Sequence, residues 1–108
     1  MIEAETRSNC TVLRINEKRL DAQRAPGFKA AAEPLLDGAH NRVVIDAAQI
    51  EFVDSTGLGA IVSLLKQMGP AGELAVAAPS PAVRKLFTIT RLDRVIKLYD
   101  SLDDATRD

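Results

Sequence analysis

The fold of this chain follows from two neighbouring stretches, Val43-Val44-Ile45-Asp46 and Phe52-Val53-Asp54-Ser55-Thr56-Gly57-Leu58-Gly59-Ala60-Ile61-Val62. A short apolar run leads towards the polar turn at 54–57, and apolar residues at helical spacing begin straight after that turn. This order predicts a buried strand, a capping turn and then a helix. The turn is therefore a helix N-terminus that holds two hydroxyl groups beside a carboxylate, and the rest of the chain is predicted to be a scaffold that displays it.

The composition is that of an ordinary small globular protein. Its 108 residues, 46% hydrophobic and 27% charged, predict one domain, 1–108, which can bury a core without disulfides or metals. The formal net charge of −1 and the lack of any large basic cluster disfavour nucleic-acid binding. The single cysteine, Cys10, allows no internal disulfide. There is no signal-peptide pattern and no apolar run of about 18 residues, so we expect a soluble, cytoplasmic protein without a membrane-inserted segment.

Alternation and short apolar runs predict the strands. Residues 2–7 and 11–15 are expected to pair as a hairpin. Further strands are expected at 42–46, 73–77 and 95–99. Phe52 and Val53 are expected to face inward just before the polar turn.

Prolines, glycines and hydroxyl residues mark the predicted helices. The first begins at Pro26, is short, kinked or broken near Glu33 because the interior Pro34 costs about 3 kcal/mol, and ends at Gly38. The second covers 55–68, and Leu64 is expected to be exposed because it lies off a core stripe made of Leu58, Ile61, Val62, Leu65 and Met68. Two more helices begin near 80 and 101. Helices that alternate with short strands predict an α/β fold, a mixed sheet of four to five strands with helices packed on it.

The residues offer little for catalysis. His40 is the only histidine and is expected to be a solvated loop residue. Ser55 does not lie in a G-x-S-x-G elbow, and no group of residues has the spacing of a metal site. Gly57-x-Gly59 is too short for a dinucleotide-binding loop. We therefore expect no enzymatic activity and no cofactor, while the sequence leaves nucleotide binding by the domain open.

The turn at Asp54-Ser55-Thr56 has two interpretations. In the first, Ser55 caps the helix, a role whose loss costs about 1 kcal/mol. In the second, Ser55 accepts a phosphate, which the backbone N–H groups and the helix dipole stabilise by about 0.3–1 kcal/mol. A docked partner tolerates that phosphate less well, because a like-charge contact at ~4 Å and an effective dielectric constant of ~20 costs about 4 kcal/mol. In the second interpretation phosphorylation is therefore a release switch.

The same residues resemble the signature of STAS domains, specifically of anti-sigma-factor antagonists. The resemblance is carried by Val44-Ile45-Asp46 and by the run from Phe52 to Gly59. The later stretches Pro79-Ser80-Pro81-Ala82-Val83-Arg84-Lys85-Leu86 and Leu92-Asp93-Arg94-Val95 are similar to the family's third helix and last strand. The resemblance covers nearly the whole chain, implies a small mixed sheet covered by helices, and favours Ser55 as a phosphate acceptor.

The resemblance also implies a partner-switching function. In such families the unphosphorylated antagonist binds an anti-sigma factor that is also a GHKL-type Ser/Thr kinase, which frees the sigma factor and so regulates transcription indirectly. The kinase phosphorylates the serine at the position of Ser55, the complex dissociates, and a metal-dependent Ser/Thr phosphatase resets the switch. The free antagonist is expected to be a monomer.

The resemblance assigns roles around Ser55 residue by residue. Thr56 matches the family's second hydroxyl position, with a structural role expected rather than that of main acceptor. Asp21 and Asp54 match acidic positions beside the acceptor. Gly57 and Leu58 fall at the start of the helix that docks the partner.

One stretch departs from the family pattern, and other functions stay open. The family often has a Gly-Glu-Leu-Asp-type run after the second strand, whereas this chain has Asn16-Glu17-Lys18-Arg19-Leu20-Asp21, so the partner can differ. A structural STAS subunit of an ABC-type lipid transport complex is the alternative, and it predicts a stable partner that is insensitive to Ser55. An enzyme is the third hypothesis and would need turnover that depends on Ser55 or His40.

Overall fold

Two β-sheets, one of five strands and one of two, form the frame of the molecule. The computed structural model describes residues 2–38 and 40–107, in which the strands are β1 (Ile2–Thr6), β2 (Thr11–Ile15), β3 (Arg19–Leu20), β4 (Arg42–Asp46), β5 (Phe52–Val53), β6 (Glu73–Ala77) and β7 (Lys97–Tyr99). The larger sheet has the order β1-β2-β4-β6-β7. Strand β1 pairs antiparallel with β2, and the other neighbours in this sheet are parallel. The short strands β3 and β5 form a separate parallel pair.

Helices follow the strands in the way that capping residues and prolines predict. They are α1 (Ala25–Leu36), α2 (Ser55–Met68), α3 (Pro81–Ile89) and α4 (Leu102–Thr106). The hydroxyl of Ser80 accepts a hydrogen bond from the Val83 N–H at 3.2 Å, which caps α3. The hydroxyl of Ser101 caps α4 in the same way. No helix within the described residues is both long and apolar enough to cross a membrane.

The two faces of the larger sheet bury different clusters. Parallel strands joined by helical crossovers that advance in one direction place those helices on one face, and α1, α2 and α3 do share one face. Its core combines alternate strand residues with residues of these helices: Leu13, Ile15, Val43, Ile45, Leu74, Val76, Phe28, Leu64 and Phe87. The opposite face is covered by the short α4, where Ala105 packs on a smaller cluster that includes Cys10, Val12, Val44, Ala75 and Ala77.

The predicted α/β class and mixed sheet are confirmed, and most predicted elements lie where expected. Strand β1 stops at Thr6, and its hairpin with β2 pairs Thr6 with Thr11. The last strand is shorter than predicted, since β7 begins at Lys97 after a 3₁₀ turn at Leu92–Arg94. Val95 is consequently 58% exposed instead of lying in a strand.

The predicted break in the first helix near Glu33 is wrong. Helix α1 continues through Pro34 to Leu36, and Gly38 follows it with a positive φ of 75°. Pro34 forfeits one backbone hydrogen bond, but Ala32 before it is fully buried and Leu35 after it packs against the core. Burial on both sides of the proline therefore holds the last turn in place.

Two predicted exposures are also wrong. Leu64 is fully buried, because α2 packs against α1 as well as against the strands, so its buried arc is wider than a single stripe. Phe52 is 42% exposed whereas Val53 is 7% exposed. The two residues form a two-residue strand, in which neighbouring side chains point to opposite sides, so only one of them can face inward.

Candidate functional site

Asp54 is the residue that caps α2. Its backbone is extended, with φ −101° and ψ −176°, and its Oδ1 accepts a hydrogen bond from the Gly57 N–H at 2.9 Å. Ser55 is the first residue inside the helix. The interpretation of Ser55 as the cap is therefore wrong: the preceding carboxylate occupies that position and satisfies the backbone N–H that a serine cap would have bonded.

Asp54 also ties α2 to the loop that follows β3. Its Oδ2 accepts a hydrogen bond from the Ala22 N–H at 2.9 Å, and its own N–H donates to the Leu20 carbonyl oxygen at 3.3 Å. Because one carboxylate bonds both segments, the start of α2 and residues 20–22 form one rigid unit. Ser55 sits directly on that unit.

Asp21 lies in the same unit but directs its carboxylate elsewhere. Its Oδ1 accepts a hydrogen bond from the Arg24 N–H at 3.1 Å, just before α1, and its Oδ2 accepts one from Arg19 Nε at 3.1 Å. The hydrogen bond from Arg19 lowers the pKa of the Asp21 carboxyl below its usual range. Asp21, which the sequence predicts to lie beside Ser55, is thus linked to the start of α2 through the next residue, Ala22. The Asp21 side chain itself bonds Arg19 and Arg24 within the loop.

Gly57 and Leu58 lie beneath the surface of the site. Gly57 is buried, and a Cβ at this position would overlap the carbonyl oxygen of Leu20. Leu58 is only 7% exposed and belongs to the main core. Both residues therefore support the helix start from below, whereas nothing lies within 4 Å of a Cβ built on Gly59, whose surroundings are open.

The two hydroxyl residues of the turn are both exposed. In the described part of the chain, neither the Ser55 nor the Thr56 hydroxyl has a hydrogen-bond partner. Their position in the first turn of a 14-residue helix places them where the helix dipole favours negative charge. The arrangement presents an exposed hydroxyl at a helix start that Asp54 holds in place through its bonds to Gly57 and Ala22.

An enzyme-like pairing of Ser55 with His40 does not form. His40 is half-buried rather than solvated, because its Nδ1 lies 3.1 Å from the Thr11 hydroxyl at the start of β2. The N–H of Asp54, the residue before Ser55, donates to the carbonyl oxygen of Leu20, and Leu20 lies beyond the other end of β2. Ser55 and His40 therefore lie towards opposite ends of the sheet. Over residues 2–38 and 40–107, no cluster of three His, Cys, Asp or Glu side chains is suited to hold a metal ion.

Sequence reasoning missed one feature beside the site. Arg19 lies in β3 opposite Phe52 in β5, and its guanidinium stands 4.6 Å from the centroid of the Phe52 ring. The run from Lys18 to Asp21 gave no strand pattern because β3 has only two residues. The exposed arginine and the aromatic residue before the polar turn at 54–57 are the local signals that the sequence offers for this contact.

Comparison with known proteins gives the same fold and a family. The STAS domain family model matches residues 1–105. A Thermotoga neapolitana protein assigned as an anti-sigma factor antagonist is 31% identical over 96 residues, which are 87% of this chain and 85% of that protein. A crystal structure of an anti-sigma factor antagonist from Mycobacterium paratuberculosis has a TM-score of 0.86 at 28% identity, covering 97% of this chain and 89% of that one.

A third comparison bears on the fold. The anti-sigma factor antagonist SpoIIAA in its unphosphorylated form has a TM-score of 0.77 at 20% identity, covering 97% of this chain and 92% of that one. Its arrangement of sheet and helices is therefore shared. From the family match over nearly its whole length, this chain belongs to the STAS domain family.

Proposed function

We propose that this protein is an anti-sigma factor antagonist that is switched by phosphorylation of Ser55. Unphosphorylated, it binds an anti-sigma factor that is also a GHKL-type Ser/Thr kinase; phosphorylated, it is released. The observation that carries the proposal is the position of Ser55, which is exposed and leaves the capping of α2 to Asp54. A hydroxyl that has no structural task at a fixed helix start is available to a kinase.

The energetics favour release over unfolding. A phosphoserine adds about −1.5 to −2 charge, and at the first residue of α2 the helix dipole offsets part of its cost to the free protein. The neighbouring Asp54 carboxylate, which bonds Gly57 and Ala22, adds a further negative charge to this end of α2. Since a tenfold change in affinity needs only about 1.4 kcal/mol, even a largely screened like-charge contact across the interface weakens binding about tenfold or more.

The partners follow from the same proposal. The relatives described above are called antagonists of anti-sigma factors, so an anti-sigma factor is the binding partner, and its kinase activity supplies the phosphate. A metal-dependent Ser/Thr phosphatase removes it. The protein itself acts by binding rather than by catalysis, stays in the cytoplasm and is a monomer when free. SpoIIAA, which shares the fold, has a structure in its phosphorylated form, so this fold is compatible with a phosphate.

The test is a capture experiment with Ser55→Ala and Ser55→Asp variants as baits in the native lysate. We expect the alanine bait to retain an anti-sigma factor of the GHKL type and the aspartate bait to lose it. Ser8→Asp is the matched control, because Ser8 is exposed in the β1–β2 turn, at the end of the sheet away from Ser55. It should retain the partner as wild type does.

Two further results decide whether Ser55 is a phosphate acceptor or the protein is a structural subunit of a larger complex. Incubation of the captured kinase with ATP should phosphorylate wild type and a Thr56→Val variant but not Ser55→Ala, as read by intact mass. If the Ser55→Ala, Ser55→Asp and Ser8→Asp baits all retain the same partner, the proposed phosphorylation switch is wrong. If that partner were a transporter ATPase, the protein would instead be a structural subunit of a transport complex.

A further inference from the structure

The segment that connects α3 to β7, residues 88–95, forms an exposed corner of the molecule. Seven of these eight residues are exposed, and Leu92 is half-buried. The segment is tightly coiled, because the Arg91 N–H donates to the Thr88 carbonyl oxygen at 3.1 Å and the Arg94 N–H donates to the Arg91 carbonyl oxygen at 3.2 Å. Residues three apart in such turns lie within about 7 Å of each other. The side chains of this α3–β7 corner are therefore grouped together.

The α3–β7 corner carries two exposed aliphatic side chains. Ile89 is 66% exposed and Val95 is 58% exposed. They are the two most exposed of the three large apolar residues that the described chain leaves in solvent, and the third is Phe52. Apolar residues scattered singly over a surface are ordinary, whereas a group of them in one short segment indicates a contact surface.

The charged groups of the corner are mainly cations. Arg91 and Arg94 are exposed, and neither belongs to an ion pair among the described residues. Asp93 is the one acid in this segment. On the neighbouring strand β6, Glu73 is already paired with Arg42 at 3.3 Å. The corner therefore presents a net positive charge beside its two aliphatic side chains, although the chain as a whole has a net charge of −1.

Arg91 is held in a conformation that arginine rarely adopts. Its φ of 62° and ψ of 19° lie in the left-handed region, and it directly follows Thr90, the C-cap of α3. Glycine is the usual residue at this position, because it has no Cβ to clash. The chain thus keeps a charged side chain where glycine would relieve backbone strain, and such strain is typical of functional positions.

These features suit the surface of a membrane with anionic lipids. A protein partner needs about 800 Å² of contact with central side chains packed in pockets, which a projecting corner does not supply. Nucleic-acid binding relies on many phosphate contacts and on stacked aromatic side chains, and residues 88–95 include no aromatic residue. A bilayer instead admits projecting aliphatic side chains at the boundary of headgroups and acyl chains, while its anionic headgroups attract the flanking cations.

The α3–β7 corner lies away from the proposed switch. Phe52 and Val53, just before Ser55, line a groove with Ala82 and Leu86 in the first two turns of α3. The corner instead follows the last turn of this nine-residue helix, which is about 13 Å long. A membrane bound at the corner therefore leaves Ser55 accessible to other proteins.

We propose that the α3–β7 corner binds the surface of a membrane that contains anionic lipids. Ile89 and Val95 enter the boundary between headgroups and acyl chains, and Arg91 and Arg94 pair with headgroup phosphates. The proposal goes beyond the function proposed above and does not depend on phosphorylation of Ser55. With two aliphatic side chains the contact is weak and reversible, and because it is partly electrostatic it weakens as salt is raised.

The test is sedimentation of the purified full chain with vesicles of phosphatidylglycerol and phosphatidylcholine in equal parts, and with vesicles of phosphatidylcholine alone. We expect wild type to bind the anionic vesicles, less so at high salt, and not the neutral ones. Arg91→Gly should weaken binding about fivefold, the contribution of one cation at an anionic surface. Arg91→Lys keeps the charge and should bind as wild type does.

The Arg91→Gly variant separates binding from folding. Glycine relieves the left-handed strain, so this variant should have a higher urea midpoint than wild type with an unchanged m-value. Its weaker binding to vesicles therefore cannot result from unfolding. A variant that is more stable and still binds less well is the expected signature of a side chain kept for contact.

Matched controls place the effect at the corner. Lys18→Gln removes another exposed cation without an ion pair among the described residues, beside β3 at the Ser55 end of the molecule, and should change binding less than twofold. Ile89→Gln should weaken binding severalfold, whereas Phe52→Gln, also at the Ser55 end, should not. Ser55→Asp should bind vesicles as wild type does, so failure of the proposed switch does not affect these results.

Three results would overturn the proposal. The first is that wild type does not bind the anionic vesicles. The second is an equal loss of binding in Arg91→Gly and Lys18→Gln, which would assign the effect to net charge. The third is binding to a double-stranded DNA oligonucleotide that Arg91→Gly loses, without binding to vesicles, which would assign the corner to nucleic acid.

Discussion

Gly57 in the first turn of α2 lies so close to the backbone of Leu20 that a Cβ on the glycine would overlap the Leu20 carbonyl oxygen and lie 2.8 Å from its carbonyl carbon. The contact joins the proposed switch helix to the end of β3. Asp54 bonds the same segment, through its N–H to the Leu20 carbonyl oxygen and through its Oδ2 to the Ala22 N–H. The helix start is therefore held against residues 20–22 by two hydrogen bonds of Asp54 and by the close approach of Gly57.

Alanine substitutions at the two glycines of the turn should have opposite effects on stability. Gly57→Ala forces α2 away from Leu20 and should lower the free energy of unfolding by about 1–3 kcal/mol, as overpacking does. Gly59→Ala enters open space in a helix and should raise it by up to about 1 kcal/mol. Urea unfolding with an unchanged m-value measures both. A Gly57→Ala variant as stable as Gly59→Ala would show that the close approach is not required.

Neighbouring substitutions should distinguish the cap from the proposed acceptor. Asp54→Ala removes the bonds to Gly57 and Ala22 and should destabilise the protein by about 1–2 kcal/mol. Ser55→Ala should change stability by less than about 0.5 kcal/mol, because the Ser55 side chain is exposed and is not the cap. Thermal unfolding monitored by circular dichroism gives both values. If Ser55→Ala cost as much as Asp54→Ala, the serine would have a structural role.

Local pattern sufficed to predict most of the fold. The hairpin and the buried strands follow from residue alternation and apolar runs, and Ser80 and Ser101 correctly mark two helix starts because a capping hydroxyl acts within three residues of itself. The predictions that failed concern features that depend on contacts between residues far apart in the sequence. Leu64 is buried by α1 packing on α2, and β3 exists only because β5 lies beside it.

In the candidate site, too, the local sequence predicts some features, whereas others depend on contacts between distant residues. The sequence predicts a helix start with an acid and two hydroxyls, but Asp and Ser are equally good caps, so it does not decide which of Asp54 and Ser55 has that role. Which residue caps α2 depends on a contact distant in sequence, since the Ala22 N–H donates a hydrogen bond to the second carboxylate oxygen of Asp54. Phosphorylation of Ser55 stays a prediction, as do the roles proposed for Asp21 and Thr56.

Arg19 should control the titration of Asp21. Its hydrogen bond lowers the pKa of Asp21 in the folded protein, so the stability that this pair contributes is present above the ordinary pKa of about 4 and is lost as the pH falls through the lowered value. Arg19→Ala should raise the pKa of Asp21 towards its ordinary value, as followed by NMR of the carboxyl carbon. Arg84→Ala removes the ion pair with Asp100 instead and should leave Asp21 unchanged; an equal shift in both variants would assign the effect to net charge.

The two prolines of α1 should respond oppositely to alanine. Pro34 lies inside the helix, where it cannot donate a hydrogen bond to the carbonyl four residues earlier, so Pro34→Ala should stabilise the protein by about 1–3 kcal/mol. Pro26 lies in the first turn, where no such bond is lost, and Pro26→Ala should destabilise it by about 0.4–1 kcal/mol, because the unfolded chain gains freedom. Urea unfolding of both variants measures the difference. A loss of stability in Pro34→Ala would mean that the proline packs favourably where it is, and that its lost hydrogen bond costs the helix little.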